Sequence, residues 1–477
     1  MDKKIAKNYI FTVAYQIFVM IVPLITAPYL ARKLGAEHQG IASFVTSVSS
    51  MVVSYSMLGI NYYGNRQIAY TRDDKNRVSE TFFEIIALKF VLGLIGTIIY
   101  ILLSFFYADY TSYFLCYMPW VISNFIDCSF LFTGEEDMKP AVIKNFVNKL
   151  IVVACIFIFV HSPNDTLVYL SLLGVANLIC NLSFYPLISR YVTKIKVRIS
   201  DSIKHLKGTL ILFLPYATSA IYLYMDKIMV QSITKDITQI AYYDYAEKII
   251  NIPLILITSL STVVMPRLAN EFTKGNISKV NQHVVDVGIF SLYIGCPLCI
   301  GIFCISSNMI PWYLGNDYLS TATIIKIIAS LIIINSIEGI VGRQYLTAID
   351  KTFFLFVSYL ITAFINIGIN FLLIPQNGVF GAAIATVISN FVCVIAQIIY
   401  VRKNINIFAL LVAFIKYFIG SLIMGLAIYL ITSFFKPGFV LTIVQIVTGI
   451  TAYFLFCLIT RDRHTKVLLN RLKITKK

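Results

Sequence analysis

The chain has 477 residues, of which 58% are hydrophobic and 13% are charged, and its mean hydropathy is +0.81. A soluble domain carries about 25% charged residues, so this composition excludes an ordinary soluble protein. Apolar runs long enough to cross a hydrocarbon core of about 30 Å recur along the chain, without the short alternation of barrel strands. The sequence predicts an all-α polytopic membrane protein.

We predict about 14 transmembrane helices from these runs. Their approximate ranges are 8–31, 41–63, 80–107, 112–133, 141–160, 166–189, 209–233, 240–266, 284–306, 322–343, 352–374, 378–401, 408–433 and 438–459. Most of the 39 Lys and Arg residues fall in the N-terminus, the even-numbered loops and the C-terminal tail. Because basic residues collect on the cytoplasmic side, both termini are predicted to be cytoplasmic. The net charge of +16 therefore indicates topology rather than nucleic-acid binding.

Polar side chains recur at helical spacing in the first two predicted spans. The first span carries Asn8, Thr12 and Gln16, and the second carries a series from Ser43 through Ser47 to Asn61. One interpretation is close helix packing through small residues, and the other is a face that lines a hydrated cavity. Both remain open for the second span, and Gln16 and Asn61 are candidate cavity residues.

Charged residues follow in the second loop and in spans three and four. Arg66 opens a loop whose default interpretation is a solvated topology determinant, although it is also a candidate site residue. Glu84 and Lys89 lie near the cytoplasmic end of span three, where a lysine can extend to the interface. Asp127 lies deep in span four and is the stronger cavity candidate, since ionisable groups at membrane depth usually face a bundle interior.

The longest loop divides the chain. Residues 190–208 would form an amphipathic cytoplasmic linker, with Ile195, Ile199 and Ile203 on one face, lying on the anionic inner leaflet. The predicted organisation is an N-terminal lobe at 1–189 with spans one to six, this linker, and a C-terminal lobe at 209–401 with spans seven to twelve. Spans thirteen and fourteen and a basic tail follow at 402–477.

The second half carries its own charged positions. Asp226 and Lys227 interrupt span seven, while Asp244, Lys248 and Asn251 lie on one side of span eight. Asp244 and Lys248 are spaced i,i+4, so the pair either binds substrate or neutralises itself. Two further site candidates, Glu338 and Arg343, lie in span ten.

Catalytic motifs are absent from the sequence. No G-x-x-x-x-G-K-[ST] loop exists, and the five histidines lack metal or triad spacing. No loop is long enough to form a soluble catalytic domain. We therefore expect no enzyme activity, no metal and no cofactor.

Several motifs resemble one family. They are the Leu34-Gly-Ala-Glu-His-Gln-Gly40 turn, Gly64-Asn-Arg-Gln-Ile-Ala69, Phe132-Thr-Gly-Glu135, Asp226, and Tyr243 through Ala246-Glu-Lys248 to Pro266-Arg267. Together with the span count they resemble the Wzx-type polysaccharide flippases of the multidrug/oligosaccharidyl-lipid/polysaccharide exporter superfamily. The resemblance implies a V-shaped, multidrug-exporter-like fold of two six-helix lobes plus two C-terminal helices, which open alternately to each side of a bacterial plasma membrane.

The implied function is the movement of undecaprenyl-pyrophosphate-linked oligosaccharide from the inner to the outer leaflet, for surface polysaccharide synthesis. Related flippases place Arg in spans one and two, whereas span one here offers only amides and hydroxyls, so anion binding would fall to Lys248, Lys227, Arg66 or Arg343. Polysaccharide polymerase and export machinery are implied partners, besides membrane lipids, and H⁺ or Na⁺ is the candidate coupling ion. The alternative is a Na⁺- or H⁺-coupled multidrug exporter of the same fold.

Overall fold

The computed structural model describes the backbone of residues 3–137, 139–195 and 198–466. Side chains are described over the same ranges except at 3–17, 19–20, 199, 212, 214–216, 219, 222, 256, 258–267 and 269. These described ranges are almost entirely helical and contain no strand. A helix pairs all of its interior backbone groups with each other, which is what a chain without access to water at membrane depth requires.

The first half of the chain forms ten helices within the described ranges. They are α1 (Lys3–Ser56), α2 (Ile60–Thr71), α3 (Lys75–Phe106), α4 (Thr111–Ile126), α5 (Ser129–Gly134), α6 (Lys139–Phe159), α7 (Thr166–Leu182), α8 (Tyr185–Ile188), α9 (Ile199–Ser202) and α10 (Leu206–Thr234).

The second half continues in the same way. Its helices are α11 (Thr238–Thr273), α12 (Ile277–Tyr313), α13 (Leu319–Ile328), α14 (Leu331–Ile337), the π-helix Glu338–Leu346, α15 (Thr352–Val401), α16 (Ile407–Thr432) and α17 (Phe439–Ile459).

Two of the longest helices are broken at a glycine. α1 is interrupted at Gly35 with φ 73° and ψ 173°, and α15 at Gly378 with φ 54° and ψ −134°. Gly35 falls between the predicted spans 8–31 and 41–63, and Gly378 is the first residue of the predicted span 378–401. Each long helix therefore covers two spans that the sequence predicted separately. Backbone angles of this kind are open to glycine and strained for other residues.

Nine helices in the described part of the chain are long and apolar enough to cross a membrane, or ten if the bent pair Ile21–Ser56 and Ile60–Thr71 is counted as one span. The predicted class, an all-α polytopic membrane protein, is confirmed. The number of about fourteen spans stays a prediction.

The chain packs as two compact units, residues 1–241 and residues 242–477. In the first unit α4 packs along α7, and α1 along α10. In the second unit α12 packs against α16, and its cores include an aliphatic cluster around Val284, Val341 and Leu346. The predicted lobe boundaries at 189 and 209 stay a prediction.

The predicted linker helix is not formed as a single helix. Residues 192–195 are not helical, and the segment ends in the short α9 and a 3₁₀ turn, Ile203–His205. His205, at the end of this turn, is buried and bonded to Tyr63 on α2 and Glu84 on α3. Whether the segment lies on the membrane surface stays a prediction.

Candidate functional site

An arginine on the π-helix is the most exposed of the charged site candidates that are paired with an acid. The Arg343 guanidinium donates to a carboxylate oxygen of Glu338 at 2.9 Å, and the hydroxyl of Tyr359 donates to the other oxygen of Glu338. The Glu338 side chain is 6% exposed, whereas that of Arg343 is 62% exposed. A π-helix is rare and often marks a functional site, since its wider turn displaces side chains from the regular helical positions. Glu338 therefore fixes the direction of an accessible guanidinium within a candidate span.

Asp244 and Lys248 on α11 form an ion pair. The ammonium nitrogen of Lys248 lies 2.6 Å from a carboxylate oxygen of Asp244, one helical turn earlier. Of the two possibilities open at the sequence level, the structure contains the self-neutralising pair. Asn251 lies nearby on the same helix and is exposed. Lys248 would have to leave Asp244, or share it, in order to bind an anion.

A buried amide and hydroxyl network follows α15 on both sides of its break. Asn370 donates to Asn366, which donates to the hydroxyl of Thr386, and the hydroxyls of Thr386 and Tyr243 are 3.2 Å apart. None of these residues was among the site candidates predicted from the sequence. The signal of this network is the i,i+4 pair of asparagines in an otherwise apolar span, facing a hydroxyl after the break.

A polar network in the first unit surrounds the break between α4 and α5. Lys89 on α3 donates to the side chain of Asn61 at 2.9 Å and to the backbone carbonyl of Asp127. Asp127 accepts from Ser129 at 2.6 Å and lies 3.8 Å from the ammonium of Lys144 on α6. Lys89 has 0% exposure, so the expectation that it extends to the membrane interface is wrong. The backbone carbonyl of Asp127, where α4 ends, accepts a hydrogen bond from the Lys89 ammonium. It takes the place of the polar partners that a lysine finds at the membrane interface.

Lys144 was also missed as an intramembrane cation. Besides Asp127, its ammonium donates to Asn181 on α7 at 2.7 Å and lies 3.8 Å from the centre of the Phe184 ring. The signal in the sequence is the i,i+4 pair Lys144 and Asn148 in span five, matched by the i,i+4 pair Asn177 and Asn181 in span six. Buried charges are retained when paired and hydrogen-bonded in this way.

The linker is fastened to α2 and α3 through a buried carboxylate. Glu84 accepts from Lys204 at 2.6 Å and bonds to His205 at 2.8 Å, and His205 bonds to the hydroxyl of Tyr63 at 2.8 Å. The hydrogen bond to Glu84 raises the pKa of Lys204. Gly208 at the start of α10 approaches the Tyr63 ring so closely that a Cβ there would lie 2.3 Å from it. The beginning of α10 is thus positioned by the two preceding helices.

The remaining site candidates differ in burial. Asp226 and Lys227 are both buried on α10, while Arg66 on α2 is exposed, with its guanidinium 6.0 Å from the ring of Tyr70. The side chain of Gln16 lies outside the described residues. In the second polar series, Ser43 and Ser47 are buried, and Ser47 donates to the backbone of Ser43. The beginning of that series is therefore helix packing.

No group of three or more His, Cys, Asp or Glu side chains in the described ranges could hold a metal ion. The site candidates among the described residues offer amides, hydroxyls and oriented cations. Groups of these types can form hydrogen bonds and ion pairs with a polar, anionic molecule.

Comparisons with known proteins identify the family of the chain. A family model described as "Polysaccharide biosynthesis protein" matches residues 5–272, more than half of the chain. A protein of Escherichia coli (strain K12) named "Putative O-antigen transporter" is 23% identical over 344 residues, which cover 71% of this chain and 82% of that protein.

Solved structures show the same fold. A structure described as "Lipid II flippase MurJ, inward closed conformation" matches with a TM-score of 0.72 at 20% identity, over 95% of this chain and 99% of that one. A structure described as an inward-facing multidrug resistance MATE family transporter of the MOP superfamily matches with a TM-score of 0.62 at 13% identity, over 82% of this chain and 98% of that one. The resemblance predicted from the sequence is confirmed: the chain belongs to the polysaccharide biosynthesis protein family and has a MurJ- and MATE-like transporter fold.

Proposed function

We propose that this chain is a flippase that moves undecaprenyl-pyrophosphate-linked oligosaccharide repeat units from the inner to the outer leaflet of a bacterial plasma membrane, for surface polysaccharide synthesis. Its family and the O-antigen transporter name of its relative support this proposal. These similar proteins are named as transporters and flippases, which supports a role without catalysis.

The structural observation that supports the proposal most is the exposed guanidinium of Arg343. The headgroup of the proposed substrate is a pyrophosphate with a hydrated sugar chain, and such a group cannot enter hydrocarbon without compensating polar partners. A guanidinium is a planar donor that stays charged and matches phosphate oxygens with two parallel hydrogen bonds. Glu338 occupies one side of the Arg343 guanidinium at 2.9 Å, and the side chain remains 62% exposed, so its other donors can reach a ligand.

Two of the other candidate cations are less accessible than Arg343. Lys248 is paired with Asp244 at 2.6 Å, and Lys227 is buried. Arg66 is exposed on α2 and would be the corresponding donor of the first unit. We assign the sugar contacts to neutral polar groups such as Asn251, which is exposed on α11.

The mechanism that we propose is alternating access, with both termini in the cytoplasm. H⁺ or Na⁺ would be the coupling ion, and a polysaccharide polymerase and export machinery would be the functional partners. The multidrug alternative has the support of the MATE-like fold alone. A pathway for cationic drugs would place an accessible acid where this chain places Arg343, and Glu338 is instead 6% exposed.

The test is a deletion strain assayed for lipid-linked oligosaccharide on each leaflet. In the deletion strain we expect lipid-linked oligosaccharide to accumulate on the inner leaflet and surface polysaccharide to be lost. Reintroducing the chain should reverse both changes. Unchanged lipid-linked oligosaccharide on both leaflets, together with altered tolerance to cationic drugs, would contradict the proposal and favour the multidrug alternative.

A further inference from the structure

α6 carries two polar i,i+4 pairs in the middle of a candidate membrane span. The pair Lys144 and Asn148 is bonded to two asparagines of α7, at 2.7 and 3.5 Å. The pair Asn145 and Lys149 has no hydrogen bond or ion pair to any described residue, and both of its side chains are partly exposed. Lys149 is therefore a cation at membrane depth whose charge is not matched by a partner in the described part of the chain.

Lys149 lies too deep to reach either membrane interface. α6 runs from Lys139 to Phe159, so Lys149 is its middle residue and lies about 15 Å along the helix axis from each end. Lysine side chains extend to the interface from positions near the ends of a span. The headgroups of the surrounding phospholipids are therefore out of reach of the Lys149 ammonium.

The side of α6 that carries Lys149 faces the protein. Ile156, seven residues later and hence on the same side of the helix, is 3% exposed and packs with Leu30 and Leu34 of α1. The strongly exposed apolar side chains in the middle of α6 follow a different stripe, made up of Ile143, Val147, Leu150 and Ile151. Asn145 precedes Lys149 by one helical turn, so the amide and the ammonium can contact the same ligand.

An anionic ligand would supply the charge partner that Lys149 lacks. An ionised ammonium is strongly disfavoured in hydrocarbon unless it is paired, and the carboxylate of Asp127 already lies 3.8 Å from Lys144. The phosphates of the proposed substrate are assigned to Arg343, because a guanidinium matches their oxygens with parallel donors. An ammonium beside an amide fits another group. The ammonium attracts a carboxylate, while the amide can both donate to and accept from a neighbouring sugar hydroxyl.

We propose that Asn145 and Lys149 bind an acidic sugar of the lipid-linked substrate, so that the transported repeat unit carries a carboxylate in addition to its pyrophosphate. This inference rests on the proposed function and names the class of its cargo. The contact of the sugar acid with Lys149 and the contact of the pyrophosphate with Arg343 belong to different units and can be made at different stages of transport. The chain should therefore select acidic over neutral repeat units.

Two synthetic substrates test this selectivity. Both carry undecaprenyl pyrophosphate and the same trisaccharide, except that one contains glucuronic acid where the other contains glucose. In phospholipid vesicles the unaltered chain should transfer the acidic substrate about tenfold faster than the neutral one, as expected for one charge-assisted contact. Lys149→Met should lower the acidic rate to the neutral rate and leave the neutral rate unchanged. Lys149→Arg keeps the charge and should retain the preference.

Lys139→Met is the matched control, because it removes an exposed lysine from the start of the same helix. It should change neither rate, and all rates are compared at equal amounts of chain with a cooperative melting transition. If Lys149→Met slows both substrates equally, Lys149 serves the pyrophosphate that they share, and if it slows neither, Lys149 lies outside the binding path. Either result overturns the acidic-sugar site, as does equal transfer of the two substrates by the unaltered chain. If the unaltered chain transfers neither substrate, the proposed flippase function itself fails.

Discussion

Charged side chains at membrane depth are paired with particular partners in this chain. Lys144 lies near Asp127 and Lys248 is bonded to Asp244, while Arg343 is bonded to Glu338. A lone charge in hydrocarbon costs several kcal/mol, so selection retains it only with a partner or a function. Arg343 differs from the two lysines because its five donors exceed what one carboxylate can accept. The surplus donors are what a phosphate can use.

Arg343→Ala should therefore reduce transfer of lipid-linked oligosaccharide strongly, by about 2 kcal/mol or roughly thirtyfold, as expected for loss of a charge-assisted hydrogen bond. The measurement is initial transfer rate in vesicles at equal protein density.

Arg343→Lys is the matched control, because it keeps the charge and removes the planar pair of donors. We expect it to recover part of the rate. Normal transfer by Arg343→Ala would exclude this residue from headgroup binding, and full recovery by Arg343→Lys would reduce its role to simple charge.

At the scale of single elements, the glycine at a helix break adopts backbone angles that other residues adopt only with strain. Gly35 has φ 73° and ψ 173°, and an added Cβ would meet no atom within 4 Å. Any penalty for a side chain there comes from backbone strain, because there is no steric contact. Strain of this type costs of order 1–3 kcal/mol.

Gly35→Ala should lower the melting temperature of the purified chain in detergent by several degrees. Gly368→Ala is the matched control: it too meets no atom within 4 Å, but it lies inside helix α15, where alanine is favoured by about 0.5–1 kcal/mol. We expect this second variant to melt slightly higher than the unaltered chain. Equal melting of the two variants would show that the break at Gly35 carries no strain.

The segment after α17 is fixed by one carboxylate. Asp462 accepts from Lys416 at 2.5 Å and from Tyr417 at 2.9 Å, and its other oxygen accepts from the backbone nitrogens of His464 and Thr465. Burial raises the pKa of Asp462, but these hydrogen bonds outweigh it and hold the pKa below its usual range. Since the folded state favours the ionised form, the stabilisation is present above the unfolded pKa of about 4 and is lost as pH falls through the lower folded value.

Asp462→Asn should consequently lower the melting temperature at pH 7, and the difference from the unaltered chain should close below about pH 4. Asp73→Asn, in an exposed turn, is the control. It should change neither the melting temperature at pH 7 nor its dependence on pH. A melting difference that is constant with pH would show that Asp462 acts through packing rather than through its charge.

Local patterns predicted most of the helices, because an apolar run in a membrane protein has few alternatives to a helix. They also predicted the chain breaks near Gly35 and Gly378. They failed for Lys89, whose acceptors Asn61 and Asp127 are 28 and 38 residues away in sequence. They did not predict the burial of His205 either, because its partner Glu84 lies 121 residues earlier in the chain. Long-range partners of this kind leave no periodic signal.

At the scale of the whole molecule, the distribution of basic residues predicts an orientation in the membrane with both termini in the cytoplasm. We expect Ser162→Cys, in the turn between α6 and α7, to react with a membrane-impermeant maleimide added outside intact cells. Arg463→Cys, after α17, should react only after the cells are opened. The unaltered chain, whose nine cysteines lie mostly in spans, supplies the background. The reverse pattern would invert the predicted topology.

The carboxylate of Glu84 also affects how strongly the linker depends on anionic lipids. A basic residue beside an anionic leaflet gains about 1 kcal/mol from it. Lys204 is already neutralised by Glu84 at 2.6 Å, and His205 is buried against the same group. Protein contacts at Lys204 and His205 therefore hold the join between α9 and α10. This join should stay in place in membranes depleted of phosphatidylglycerol and cardiolipin.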